Sequence, residues 1–197
     1  MEIRKLESAE HGKTRFLWEK IFKEDSQTFV DYYYFIRTKE NVIYVVEEDG
    51  AIRSMLQKNP YWMKLEDSVF DSEYIVGVAT EKEYRGRGYM RQLLIAALEE
   101  ENKKKHPFTF LMPAAEAIYS PYDFRYIYHQ KQMELDSDVF FALKRDKKTG
   151  EKESRDRGRQ ERVTRDAELG DAERIAAFFE KNESPKWAVC TVRDSVY

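Results

Sequence analysis

The chain has 197 residues, 42% of them apolar, and its 34 basic and 37 acidic side chains nearly cancel to a net charge of −3. That length allows one full domain with part of another, and the apolar content excludes a disordered or collagen-like chain. The charge balance argues against general nucleic-acid binding, which needs a basic excess, so no nucleic-acid partner is expected.

The elements follow in chain order. Residues 3–6 read as a short strand. A first helix carries Phe16, Leu17, Trp18, Ile21 and Phe22, and a second starts from the capping oxygens of Asp25 and Ser26, with Phe29, Tyr32, Tyr33 and Ile36 on one helical face. Residues 42–46 and 52–56 are β-branched and apolar around the turn signal Asp49-Gly50, which predicts a hairpin. Asn59-Pro60 interrupts the pattern, and residues 61–71 are ambiguous between strand and loop. Residues 74–80 form a continuous apolar run, as expected of a central strand covered on both faces. After the polar segment 81–88 comes a helix with the stripe Met90, Leu93, Leu94, Ala97 and Leu98, and Lys103, Lys104 and Lys105 suit its C-terminal dipole. A strand at 108–112, a short helix at 114–119 and a closing hairpin at 126–128 and 133–143 complete the order β-α-α-β-β-β-α-β-α-β-β. The expected fold is a mixed central α/β sheet with helices on both faces.

Residues 144–162 hold nine basic and five acidic residues and no apolar one, so a charged, solvated linker is expected over 144–161. After it, Val163 and the helical stretch 172–179 repeat the strand-then-helix opening of the chain, which reads as the start of a second domain over 162–197.

The single cysteine, Cys190, excludes an intramolecular disulfide and a cysteine-based zinc cluster, and His11, His106 and His129 stand at unrelated spacings, so no metal is expected. No run approaches the ~20 apolar residues that cross a bilayer and no secretory core follows the N-terminus. The expectations are a cytoplasmic address, no membrane partner and a possible homo-oligomer.

The segment richest in chemistry is Val78-Ala79-Thr80, then Tyr84-Arg85-Gly86-Arg87-Gly88-Tyr89-Met90-Arg91. A glycine turn feeding a helix presents free backbone N–H groups to an anion, with Arg85 and Arg87 as countercharge. A phosphate or pyrophosphate site is the inference; a plain glycine turn with surface arginines is the alternative. The missing Gly-Lys-Ser/Thr ending excludes a Walker A loop, and the pattern does not continue as GxGxxG.

These residues and their setting resemble the GCN5-related N-acetyltransferase family, in which a strand, Tyr-Arg-Gly-x-Gly and a helix cradle the pyrophosphate of acetyl-CoA. The resemblance covers residues 1–143, read as an acetyl-CoA-binding domain. The stretch Phe110-Leu111-Met112-Pro113-Ala114-Ala115-Glu116-Ala117-Ile118-Tyr119 is similar to the enhanced intracellular survival (Eis-like) branch, although Tyr122-Asp123-Phe124-Arg125-Tyr126 departs from its usual Phe-Gly-Tyr. The resemblance implies an N-acetyltransferase acting by direct attack of an amine in a ternary complex, with acetyl-CoA as cosubstrate and a small-molecule or peptide amine as acceptor. It implies that Val78, Ala79, Thr80, Ala114 and Ala115 line the acyl arm, that Arg85, Gly86, Arg87, Gly88, Tyr89, Met90 and Arg91 hold the pyrophosphate, and that Tyr119 donates a proton to the leaving thiolate. Trp18, Tyr32, Tyr33 and Tyr34 fall where the family places its acceptor helices, as an aromatic wall or as core. No residue identifies itself as the base: Glu83, Glu116 and His129 are the nearest ionisable groups in sequence, and the Eis-like branch uses the C-terminal carboxylate of a domain not seen here. A non-catalytic acyl-CoA-binding module and an unrelated phosphate-binding domain are the alternatives.

Overall fold

The computed structural model of the chain describes residues 1–128, 167–182, 184 and 189–193. These fall into two compact units, residues 1–112 with 168–197, and residues 113–167. The first unit is a mixed α/β structure built on one sheet. Its strands are β1 (Glu2–Lys5), β2 (Val42–Glu48), β3 (Ala51–Leu65), β4 (Ser68–Thr80), β5 (Phe110–Leu111) and β6 (Val189–Thr191). They lie in the order β1-β2-β3-β4-β5, with β6 on β3. All pairings are antiparallel except β4 with β5, which is parallel. The helices are α1 (Arg15–Ile21), α2 (Gln27–Phe35) and α3 (Tyr89–Lys104), then α4 (Glu116–Tyr119) in the second unit and α5 (Ala172–Asn182). No helix among the described residues is long and apolar enough to cross a membrane.

Strand alternation sorts the two faces. Ile43, Val45, Met55 and Ala79 cluster with Leu17, Trp18, Val30 and Tyr33 of α1 and α2. The neighbouring positions Tyr44 and Lys58 reach Glu100 on α3 instead, at 2.8 and 2.7 Å. The sheet therefore has α1 and α2 on one side and α3 on the other. The β2–β3 hairpin turns on Asp49 and Gly50, both left-handed at φ 54° and 71°, as the sequence signal demands. Ser26 caps α2, accepting from Phe29 N.

Several expectations need correction. Asn59-Pro60 does not interrupt the chain: β3 runs straight through it, Pro60 opposite Glu73. Trp62 O accepts from Val192 N, so by alternation the position of the missing Pro60 amide also faces that side of β3. Pro60 there lies in the gap between the last β2 pair at Lys58 and the first β6 pair at Met63, so no ladder bond is lost. The ambiguous 61–71 stretch is a long hairpin turning at Glu66, which takes φ 52° without glycine. β5 is shorter than the expected 108–112, because the Ser72 and Thr109 hydroxyls bond Phe108 O and Glu73 O at 2.8 and 2.5 Å in place of a longer ladder. The inward residues of α2 are Val30 and Tyr33, whereas Phe29, Tyr32 and Ile36 are exposed. With six of its nine residues apolar, more than one stripe on α2 satisfies helical spacing. Residues 126–128 are irregular rather than a strand, and α4 begins only at Glu116.

The expected strand at 133–143 and the linker at 144–161 lie outside the described residues. In the segment 162–197, α5 and β6 are described, and β6 pairs with the far end of β3 through Met63, Lys64 and Leu65.

Candidate functional site

The site is built where β4 ends. The β3–β4 ladder runs in register until Gln57↔Val76 and resumes at Met55↔Ala79, so Gly77 and Val78 together oppose Leu56. This is a β-bulge, with Gly77 left-handed at φ 60°. A Cβ on Gly77 would stand 2.5 Å from the Trp18 ring, so the bulge is packed as well as bent. Beyond it, Glu81 N donates to Arg53 O at 2.9 Å. Alternation then turns the amides of Val78 and Thr80 away from β3. On that side β5 pairs only with Tyr74 and Ile75, so among the described residues no strand covers β4 past Ile75. The result is a short open edge with outward N–H groups.

The chain next makes a 3-10 turn at Lys82–Tyr84 and enters α3 through Arg85, Gly86, Arg87 and Gly88. Gly86 and Gly88 are left-handed, φ 77° and 78°, and nothing lies within 4 Å of where a Cβ would stand on either. Gly88 is the N-cap residue, its carbonyl taking the first helical bond from Gln92 N at 3.1 Å, and no side chain caps the helix. The amides of Gly88, Tyr89, Met90 and Arg91 therefore have no intrahelical acceptor and lie at the positive end of a 16-residue helix. Arg85, Arg87 and Arg91 are exposed around it. Such a cradle suits a phosphate or pyrophosphate group, and the open Cβ positions are the room that group needs.

The wall behind this turn contains residues that single-sequence reasoning missed. Glu81 is almost fully buried and bonds Lys20 of α1 and Arg53 of β3 at 2.7 and 2.8 Å, its pKa held low by the Lys20 ammonium and then by Arg53. The guanidiniums of Arg53 and Arg87 lie over the Tyr84 ring at 4.6 and 4.5 Å. The Tyr89 hydroxyl donates to Glu48, whose carboxylate pushes its pKa up. Apart from Arg87 on Tyr84, these partners are 28 to 61 positions apart in the chain, and only the fold brings them together.

In the second unit, Ala114 and Ala115 are exposed ahead of α4, Ala115 extended, and Tyr119 ends that helix with its ring 5.9 Å from Phe124. Burial pushes the Tyr119 hydroxyl above its ordinary pKa, so it stays protonated at neutral pH. Glu116 and Glu83 are exposed, and His129 lies outside the described residues. Trp18 and Tyr33 belong to the buried core with Tyr34 packed against it, and only Tyr32 of the expected aromatic wall is exposed.

Two other features lie at the opposite end of α3 and β4. A cleft of about 510 Å³ is lined by Tyr61, Trp62, Glu73, Lys104 and His106 among others. Beside it the ligand atoms of Glu73, Glu101 and His106 lie within 4.8 Å of one another, a spacing a metal could use. The Lys58 ammonium already pairs with both carboxylates, which fills that position with the protein's own cation.

A family model described as an acetyltransferase (GNAT) domain matches residues 2–127. No curated protein matches the chain. Among solved structures, the chain is similar to a probable N-acyltransferase from Enterococcus faecalis V583 at TM-score 0.57 and 19% identity, over 61% of this chain and 31% of that one. The chain thus spans about a third of that protein's length. A predicted acetyltransferase from Clostridium acetobutylicum, described with acetyl-CoA, aligns at TM-score 0.55 and 15% identity over 68% of this chain and 95% of its own. Glucosamine-6-phosphate N-acetyltransferase from Arabidopsis thaliana aligns at 0.52 and 17%, over 68% and 98%.

Proposed function

Since the chain belongs to the acetyltransferase (GNAT) domain family, we propose that it binds acetyl-CoA and transfers the acetyl group to an amine by direct attack in a ternary complex. The observation that carries this is the turn at 85–88, where two left-handed glycines with open Cβ positions meet the uncapped N-terminus of α3. In this reading the amides of Gly86 to Arg91 hold the pyrophosphate, and Arg85 supplies free countercharge. Arg87 contributes less charge, being shared with Tyr84 and Glu48.

The acyl arm lies along the open edge of β4. There the Val78 amide polarises the thioester carbonyl, with Ala79 and Thr80 continuing the edge; the assignment of Ala114 and Ala115 to the acyl arm rests on the family resemblance. The neutral amine attacks the carbonyl carbon, the C–S bond breaks and the thiolate takes a proton, a role the family resemblance gives to Tyr119; the proton that the amine nitrogen sheds passes to solvent, from which the Tyr119 phenolate is reprotonated. A phenol of pKa at or above ~10 is a suitable acid for a thiolate whose conjugate acid has a pKa near ~8.5. The amine is carried by a small molecule or a peptide. The Ala-Glu-Ala-Ile-Tyr run that ends at Tyr119 supports placement in the Eis-like branch.

Calorimetric titration with acetyl-CoA and CoA tests the reading. The parent binds both, and Gly86→Asp or Gly88→Asp abolishes binding without unfolding the chain, because a carboxylate in the turn repels phosphate and blocks the amides. Equal affinity in parent and variants would remove the pyrophosphate from this turn. Binding without thiol release toward any amine would favour a non-catalytic acyl-CoA module.

A further inference from the structure

The turn from Lys82 to Gly88 has little hydrophobic anchorage: only Tyr84 is half-buried, and the other six residues are exposed. Ordering each residue costs backbone entropy, so a turn of this length left to itself would sample many shapes. What holds it is a closed circuit of charges and rings. The Glu81 carboxylate bonds Arg53 Nη1 at 2.8 Å. The Arg53 guanidinium lies over the Tyr84 ring, and so does that of Arg87, at 4.6 and 4.5 Å. Arg87 Nη1 then stands 3.6 Å from Glu48 Oε2, and the same carboxylate accepts the Tyr89 hydroxyl at the first residue of α3. Arg53 Nε closes the circuit by donating to Glu48 O at 3.2 Å.

The circuit joins the two ends of the β2–β3 hairpin, the end of β4, the turn and the start of α3. Each cation in it faces a ring or a carboxylate, so its charges are mutually satisfied without any ligand. Arg85 stands outside it, its Nε donating to Thr80 O at 3.2 Å. Rings and guanidiniums stack with low entropy cost, and the ring quadrupole attracts the cation.

We infer that this circuit holds the turn in its anion-receptive shape before ligand arrives, which makes Tyr84 and Glu48 positioning residues for CoA binding; the assignment rests on the function proposed above. Pre-organisation of this kind raises affinity by removing an ordering cost from the binding step, without a contact to the ligand.

Tyr84→Leu, Tyr84→Phe and Glu48→Gln separate the possibilities. Phenylalanine keeps the ring between the two guanidiniums, leucine does not, and glutamine keeps a partner for Tyr89 while removing the charge that faces Arg87. Amide hydrogen exchange at Gly86 to Met90 is measured in the free protein, and CoA affinity by calorimetry. Tyr84→Leu and Glu48→Gln should speed exchange in the turn and weaken CoA binding roughly 3- to 10-fold, with thermal stability within a few degrees of the parent. Tyr84→Phe should behave as the parent.

Unchanged exchange in both disruptive variants overturns the circuit, as does a Tyr84→Phe variant as impaired as Tyr84→Leu. Faster exchange with unchanged CoA affinity overturns the positioning role alone. A parent that does not bind CoA overturns the assignment of the turn and this role with it, while the exchange data still report on the circuit.

Discussion

Gly77 is the residue on which the strand edge depends. Its left-handed φ and the 2.5 Å approach of a would-be Cβ to Trp18 act together: any side chain meets both backbone strain and a ring locked among Phe22, Tyr33 and Tyr34. Gly77→Ala should therefore cost roughly 2–4 kcal/mol, read from urea unfolding midpoints. In a Trp18→Leu background the steric part disappears and the same substitution should cost only ~1–2 kcal/mol, the share left to the left-handed φ. Equal costs in the two backgrounds would show that the ring is not what the methyl meets. A glycine inside an apolar strand is itself a sequence sign of a bulge or a close approach, so this feature was partly legible. The partner ring was not, because nothing in the spacing of Trp18 and Gly77 announces contact.

Among the elements, α3 makes the least ordinary contact with the sheet. Lys58 on β3 is fully buried, and its ammonium pairs with Glu100 at 2.7 Å, Glu101 at 2.5 Å and Glu73 of β4. Burial alone would lower the Lys58 pKa, but the carboxylates of Glu100, Glu101 and Glu73 reverse that and raise it. Burial pushes Glu100 up, yet Lys58, Lys5 and the Tyr44 hydroxyl outweigh it and bring Glu100 down to about 2. Glu73 falls to about 2 in the same way, against its burial, through Glu101, Lys104 and Lys58. Glu101 moves the other way, raised by burial and then by Glu73.

Both depressed groups stabilise the fold above their unfolded pKa of ~4.3, and that stability is lost as pH falls toward their folded values. Thermal unfolding of the parent should weaken steeply from about pH 4.3 downward. Glu100→Gln should start from a lower Tm at neutral pH and show a shallower acid decline. Lys58→Met should cost ~3–5 kcal/mol, since it leaves three carboxylates facing one another. A parent Tm that holds flat down to pH 2 would contradict the depressed pKa values. The lysine run of α3 was legible as helix-end charge, and Lys103 and Lys104 do close the helix. The burial of Lys58 was not, because Lys58 immediately precedes Asn59-Pro60, which reads as a break in the strand.

For the molecule as a whole, the legible parts are those written in local chemistry: the Asp49-Gly50 hairpin, the apolar strand that forms the end of β4, the Arg-Gly-Arg-Gly turn and the long helix after it. The α2 face, the 61–72 hairpin and the supports of the turn are set by which surfaces meet, and a single sequence does not state that. The described C-terminal elements belong to this second class. β6 extends the sheet at Met63, Lys64 and Leu65, with Val192 N on Trp62 O at 2.8 Å and Lys64 on Glu180 at 2.7 Å. The turn at 85–88 lies past the opposite end of β3, where Ser54 pairs with Thr80, about 30 Å away at ~3.3 Å per residue. Truncation after residue 167 should thus lower Tm by roughly 5 °C or more and leave CoA affinity within about two-fold. A large loss of CoA affinity in a truncated chain that still folds would show that the C-terminal elements reach the turn.

The bulge also separates two demands that usually coincide. If the single residue Gly77 were taken out, Met55↔Ala79 and Gln57↔Val76 would leave Leu56 opposite Val78, and the two strands would zip without interruption. Every side chain would keep its face, since Val76 and Ala79 already lie on the α1 side. The sheet is therefore one residue longer than its own best ladder. Selection for robustness alone would shorten it. That the extra glycine is there, wedged under an indole, marks this spot as one where the backbone answers to something other than the sheet.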